Sequence, residues 1–96
     1  LISPAGGDEY LLFEILRTSF IKKKYSDSID ALKKFLAQNR SKQVTDRANF
    51  YLGESYYYTG NFPSALTYFL SLEETYPELS RKWTESTLDN FSVETE

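Results

Sequence analysis

The chain predicts an all-α protein assembled from short antiparallel helix pairs, and three observations carry that expectation. Apolar residues recur at three- and four-residue spacing in consecutive segments, the mark of amphipathic helices. Gly, Pro, Asn and Ser punctuate the boundaries, and no stretch reads as a strand. Two segments also align at a constant offset. Laying YSDSIDALKKFL (25–36) on FPSALTYFLSLE (62–73) pairs Tyr25 with Phe62, Ser28 with Ala65, Leu32 with Phe69 and Phe35 with Leu72, each 37 residues apart. A fixed period with helix–turn–helix content is the signature of stacked helical repeats.

The first helix is expected from Asp8 to about Lys23, carrying Leu12, Ile15, Leu16 and Phe20 on one stripe. Ser26 or Asp27 stands where an N-cap would open the second, which buries Ile29, Leu32, Phe35 and Leu36 and ends near Asn39. The polar NRSKQ separates it from a third helix, about Thr45 to Tyr58, stopped at Thr59–Gly60, where Gly can take a positive φ. Asn61 can cap the fourth, with Pro63 in the first turn, and Pro77 lies beyond its end. A fifth, SRKWTESTLDNF, is short and mostly polar. The expected organisation is a flexible lead-in (1–7), a helical domain (8–91) and a frayed tail (92–96).

Composition narrows the function classes. Ninety-six residues make one small domain or a fragment of a larger protein. There is no Cys and no His, so disulfides, thiolate metal sites and imidazole chemistry are excluded. A net charge of −3 argues against a nucleic-acid or anionic-membrane surface. Lys22, Lys23 and Lys24, the one basic run, suit a helix C-terminus, where cations complement the dipole. No apolar run approaches the ~20 residues of a membrane span. LISPAGGDE is too short, and lacks the basic flank, to be a signal peptide.

Residues 46–77 resemble a tetratricopeptide repeat (TPR), a unit of about 34 residues with a Leu-Gly, Tyr, Ala, Phe, Pro pattern. Counted from Asp46, the matching residues are Leu52-Gly53, Tyr56, Ala65, Phe69, Leu72 and Pro77, while Asn49 stands where the pattern prefers Trp. Gly53 and Ala65 are small enough for the two backbones to approach closely, with Leu52, Tyr56 and Phe69 filling the space beside them. The first unit is looser, with Leu16 at the Gly place and Ser28 at the Ala place, so its helices are expected slightly farther apart. Trp83 falls 34 residues after Asn49, but Ser86 and Thr87 occupy the following Leu-Gly places. The resemblance therefore implies a TPR solenoid of about two repeats (9–40 and 46–78) and a degenerate third or capping helix (79–91).

The stretch FLAQNRSKQVTDRANFYLGESYYYTGNFPSALTYFLSLEETYPE is further similar to bacterial cell-envelope TPR proteins of the outer-membrane assembly lipoprotein D (BamD-like) and Tol–Pal-associated YbgF-like groups. That resemblance implies a non-enzymatic scaffold for a partner protein in envelope or outer-membrane assembly. It also implies a periplasmic location, outer-membrane-anchored in the full-length protein, with a cytoplasmic setting as the alternative. No cofactor is implied. Self-association as a homodimer and membership of a larger protein are the competing readings.

Three consecutive tyrosines locate the binding face. Successive helical residues point about 100° apart, so Tyr56, Tyr57 and Tyr58 cannot share a role. Tyr56 lies within about 60° of Asn49, Leu52 and Gly53, on the core side. Phe50, Glu54 and Tyr57 point elsewhere, and Arg47, Tyr51 and Tyr58 continue round the helix; Tyr10, Phe13, Arg17 and Phe20 hold matching places on the first helix. These ten residues are the expected partner groove, too much aromatic surface for a two-repeat core to bury. Arginine and tyrosine are favoured interface anchors. Glu54 is expected to form a solvated salt bridge with Arg17 or Arg47, and is the one carboxylate with grounds for a raised pKa. A carboxylate-clamp ligand is unexpected, because Phe13, Arg17, Phe50, Tyr51 and Glu54 occupy the clamp places.

Catalysis is not expected. Glu73–Glu74, Asp8–Glu9 and Asp27/Asp30 should diverge on solvent faces rather than converge as paired hydrolytic carboxylates do. AGGDE lacks the Lys and preceding strand of a phosphate loop, and no carboxylate spacing suits a metal loop.

Overall fold

The computed structural model describes residues 7–95, with side chains to Phe91. The expected lead-in, apart from Gly7, lies outside the described residues. Five α-helices follow one another: α1 (Asp8–Ile15), continued by a π-helical turn (Leu16–Phe20), α2 (Tyr25–Leu36), α3 (Lys42–Tyr58), α4 (Phe62–Leu70) and α5 (Pro77–Thr95). No strand occurs among the described residues, so the all-α expectation holds. Each helix packs on its sequence neighbour, and α1 also touches α3. The result is elongated, 50 × 28 × 20 Å, with a radius of gyration of 13.9 Å. A compact chain of this length would have roughly 12–13 Å.

One buried cluster, Leu12, Leu32, Phe35, Val44, Ala48 and Leu52, ties α1, α2 and α3 together, with Ile15, Leu16, Ile29, Leu36 and Tyr56 packed against it. Ala65, Phe69 and Leu72 extend the buried set to α4 and the turn beyond it. Gly53 is needed where α3 meets α4. A Cβ there would stand 2.8 Å from the Phe69 ring and 3.2 Å from the Tyr68 Cβ. In the first pair, Ser28, the counterpart of Ala65, is fully buried and accepts a 3.0 Å hydrogen bond from the Ser55 hydroxyl.

Both antiparallel pairs turn in the same way. At the end of α3, Gly60 adopts φ 84°, Asn61 N–H reaches back to the Tyr56 carbonyl, and Gly60 N–H bonds the Tyr57 carbonyl. At the end of the π turn, Lys23 adopts φ 62°, Lys24 N–H reaches the Ser19 carbonyl and Lys23 N–H the Phe20 carbonyl. Both are Schellman closures. Lys23 therefore holds the left-handed place that Gly60 holds 37 residues later.

Several boundaries differ from expectation, each for a local reason. The first helix does not continue as an α-helix: Thr18 Oγ1 donates to the Glu14 carbonyl at 2.8 Å, and Ser19 Oγ to that of Ile15. Such back-bonding hydroxyls loosen the α ladder, and Ile21 N–H bonds the Leu16 carbonyl five residues back. Neither Ser26 nor Asp27 caps α2, because the left-handed Lys23 swings the chain straight into it, leaving Lys24 at the N-cap without a side-chain bond. Ser41 caps α3 by accepting from Val44 N–H, which starts that helix at Lys42. Asn61 caps α4 as expected. That helix stops at Leu70, where Leu72 and Glu73 N–H groups bond carbonyls only three residues back. Pro77 begins α5 rather than merely terminating what precedes it, and the helix runs through Thr95, past the expected end near Phe91. Of the expected tail, residues 92–95 continue α5, and Glu96 lies outside the described residues.

Candidate functional site

One stripe of α3 carries Arg47, Phe50, Tyr51, Glu54, Tyr57 and Tyr58, as residues three, four and seven apart share a helix face. Its neighbours on one side come from the first pair. Phe20 of the π turn meets Tyr51 edge-on, with ring centroids 5.1 Å apart, and Tyr25 at the start of α2 stacks on Tyr58 at 5.0 Å. On the other side stands Trp83 of α5, 5.3 Å from the Tyr57 ring, 6.0 Å from Phe50 and 6.3 Å from Tyr58. A continuous aromatic belt thus crosses the π turn, α3 and α5.

The three tyrosines go three ways. Tyr56 stacks on Tyr68 of α4 at 5.7 Å and is half-buried. Tyr57 packs on Trp83, and its hydroxyl shares a 2.6 Å hydrogen bond with Ser86 of α5. Tyr58 is 49% exposed. Phe20, Phe50, Tyr51 and Tyr57 are half-buried between helices, so much of the aromatic surface assigned to an open groove is packing. Tyr10 (43% exposed) and Phe13 (56%) are open, but their rings make no aromatic contact with the belt among the described residues. The structure brings together Phe20, Phe50, Tyr51, Tyr57 and Tyr58; Glu54 and Arg47 share their helix face, while Tyr10, Phe13 and Arg17 stand apart.

Glu54 departs most from expectation. No salt bridge with Arg17 or Arg47 forms. Arg17 is exposed and donates to Glu14, three residues away on its own helix, at 2.6 Å. This near partner wins because no chain reorganisation is needed to reach it. Glu54 is buried, 8% exposed, and has no hydrogen-bond partner among the described residues. Desolvation pushes its carboxyl up to about 7. Tyr58 is raised as well, by burial first and the Glu54 charge second. The carboxyl oxygens are not sealed, because Thr84 Oγ1 is the one wholly buried side-chain oxygen or nitrogen left without a partner among the described residues.

Trp83 and Tyr25 were missing from the expected site. Trp83 was visible as the Trp-position residue of a third unit, and Tyr25 as the repeat equivalent of Phe62, but neither lies on the helix faces from which the groove was drawn. Among the described residues, no group of three or more Asp or Glu side chains is placed to hold a metal ion. No described helix is long and apolar enough to cross a membrane. No protein-family model matches the chain, and no curated protein or solved structure matches it either.

Proposed function

We propose that the protein is a non-catalytic TPR-type scaffold whose α3 face, flanked by the π turn and α5, binds a partner protein. The observation that carries this reading is the aromatic belt around the exposed Tyr58 and the unpaired Glu54. A structural interior would be expected to give a buried carboxylate a partner. The 37-residue repeat, the paired Schellman turns and the tight Gly53 contact support the solenoid assignment. The bacterial-envelope setting rests on the sequence resemblance of residues 35–78.

A photo-reactive residue at Tyr58, compared with one at the exposed Lys33 on α2, tests the binding face in source-cell extracts. A discrete partner cross-linked from position 58 and not from 33 is expected. Equal labelling from both positions overturns the assignment.

A second reading is favoured by the exposed Tyr10, Leu11, Phe13 and Ile21 near the α1 end of the molecule. Apolar side chains left open there suit pairing between copies. Light scattering across a concentration series decides it: a growing dimer fraction that Phe13→Glu abolishes supports self-association through this edge.

A further inference from the structure

We propose that Glu54 and the aromatic rings around it form the anchor site for one cationic side chain of the partner, an arginine by preference. This deepens the binding-face reading and rests on it. The site is built rather than incidental. Glu54, only 8% exposed as a residue, has no cation and no hydrogen-bond donor for its carboxylate among the described residues, yet the carboxyl oxygens keep contact with solvent. Residues one turn away on either side, Phe50, Tyr51, Tyr57 and Tyr58, are all aromatic, and Tyr25 and Trp83 continue the walls through Tyr58.

That combination is selective in charge. Aromatic faces attract cations through their quadrupole, and a desolvated carboxylate gains most from a positive partner. A guanidinium serves both, since its planar fork bonds a carboxylate while its face stacks on a ring. An anionic or neutral anchor would leave Glu54 as it stands in the free protein, buried and uncompensated. Neither arginine expected to pair with Glu54 fills the place: Arg17 is held by Glu14, and Arg47 sits two turns away along α3 with no ion pair. Near one end of the stripe, Tyr58 is 49% exposed, so its ring face is open to an incoming side chain.

The test is an NMR titration of the whole chain with N-acetyl-arginine methyl ester, against its neutral isostere, N-acetyl-citrulline methyl ester. The arginine ester is expected to shift the Trp83 indole and Tyr58 ring resonances and to move the Glu54 carboxyl carbon toward its ionised value. The citrulline ester should bind about tenfold more weakly or not at all, as expected when a charge-assisted hydrogen bond is lost. Glu54→Gln should remove the preference while the other resonances keep their dispersion. Tyr58→Leu, which keeps apolar bulk without the ring, should weaken binding of the arginine ester alone. Equal response to both esters, or an arginine preference surviving in Glu54→Gln, overturns the cation site. If position 58 still cross-links a partner in that case, the binding face stands without this anchor. If it does not, the face itself has failed.

Discussion

At the scale of single residues, Gly53 and Glu54 are adjacent and do opposite things. Gly53 lets α4 approach, and an added methyl would run into the fully buried ring of Phe69, which has no room to retreat. Gly53→Ala should therefore destabilise the protein by about 1–3 kcal/mol through overpacking, despite the better helix propensity of Ala. Urea denaturation measures it, and a neutral or stabilised variant would show that the contact yields. Glu54 stores a pH dependence. Its folded-state pKa of about 7 lies above the ordinary carboxylate value, so the folded form binds the proton more tightly than the unfolded chain does. Stability from this group is thus fully present below about pH 4.5, declines as pH rises toward 7, and is lowest above it. The full shift would correspond to about 3 kcal/mol, and residual solvent contact brings the expected loss to ~1–2 kcal/mol. Glu54→Gln should flatten this slope between pH 5 and 8 relative to the parent. Parallel stability curves for the two proteins would refute it.

At the scale of elements, the turns and their ties decide more than the helix faces. Lys23 occupies a left-handed conformation that costs a side-chain-bearing residue about 1 kcal/mol or more. Lys23→Gly should raise stability by about 1 kcal/mol or slightly less, since Gly also loosens the unfolded chain. A loss of stability would mean that Lys23 makes a contact the turn needs. Arg40 provides a second tie. Its Nε donates to the Phe35 carbonyl at 2.7 Å, its guanidinium lies 3.7 Å over the Phe35 ring, and it pairs with Asp8 in the first turn of α1. Arg40→Ala should cost ~1–2 kcal/mol and speed amide exchange in α1 more than in α3. The helices, their apolar stripes, the Gly60 turn and the Asn61 cap could be read from spacing and residue type, because each depends on neighbours within one or two turns. Lys23 was legible only through the repeat offset, since lysine carries no turn signal of its own. The π turn was not legible, because a Thr-Ser pair is compatible with an ordinary helix. For Glu54, burial was signalled by its aromatic neighbours, but the absence of a partner depended on Arg17 choosing Glu14, a competition spacing alone does not resolve.

At the scale of the whole molecule, the question is whether α5 belongs to one cooperative core or is stacked on its end. The contacts run mainly between sequence neighbours, with α1 also meeting α3 and α5 reaching α3 through Trp83 and Ser86. In such an array stability is a sum of neighbour terms rather than a property of one shared centre. Two kinds of interaction hold α5: the Trp83 packing against Phe69, Phe50 and Tyr57, and polar bonds from Ser80 to the Phe69 carbonyl and from Ser86 to Tyr57. None involves the cluster of Leu12, Leu32, Phe35, Val44, Ala48 and Leu52. Trp83→Ala should thus remove ~2–3 kcal/mol, less than a fully buried aromatic because Trp83 is only half-buried. The loss should fall unevenly: native-state hydrogen exchange should show α5 opening at low free energy while α2 and the first half of α3 keep most of their protection. Because Tyr57, Tyr58 and Phe50 lose their far wall when α5 detaches, the same variant should also lose partner cross-linking at position 58. Uniform loss of protection across all five helices would instead make this a single globular core, and the serial architecture on which the scaffold reading depends would be wrong.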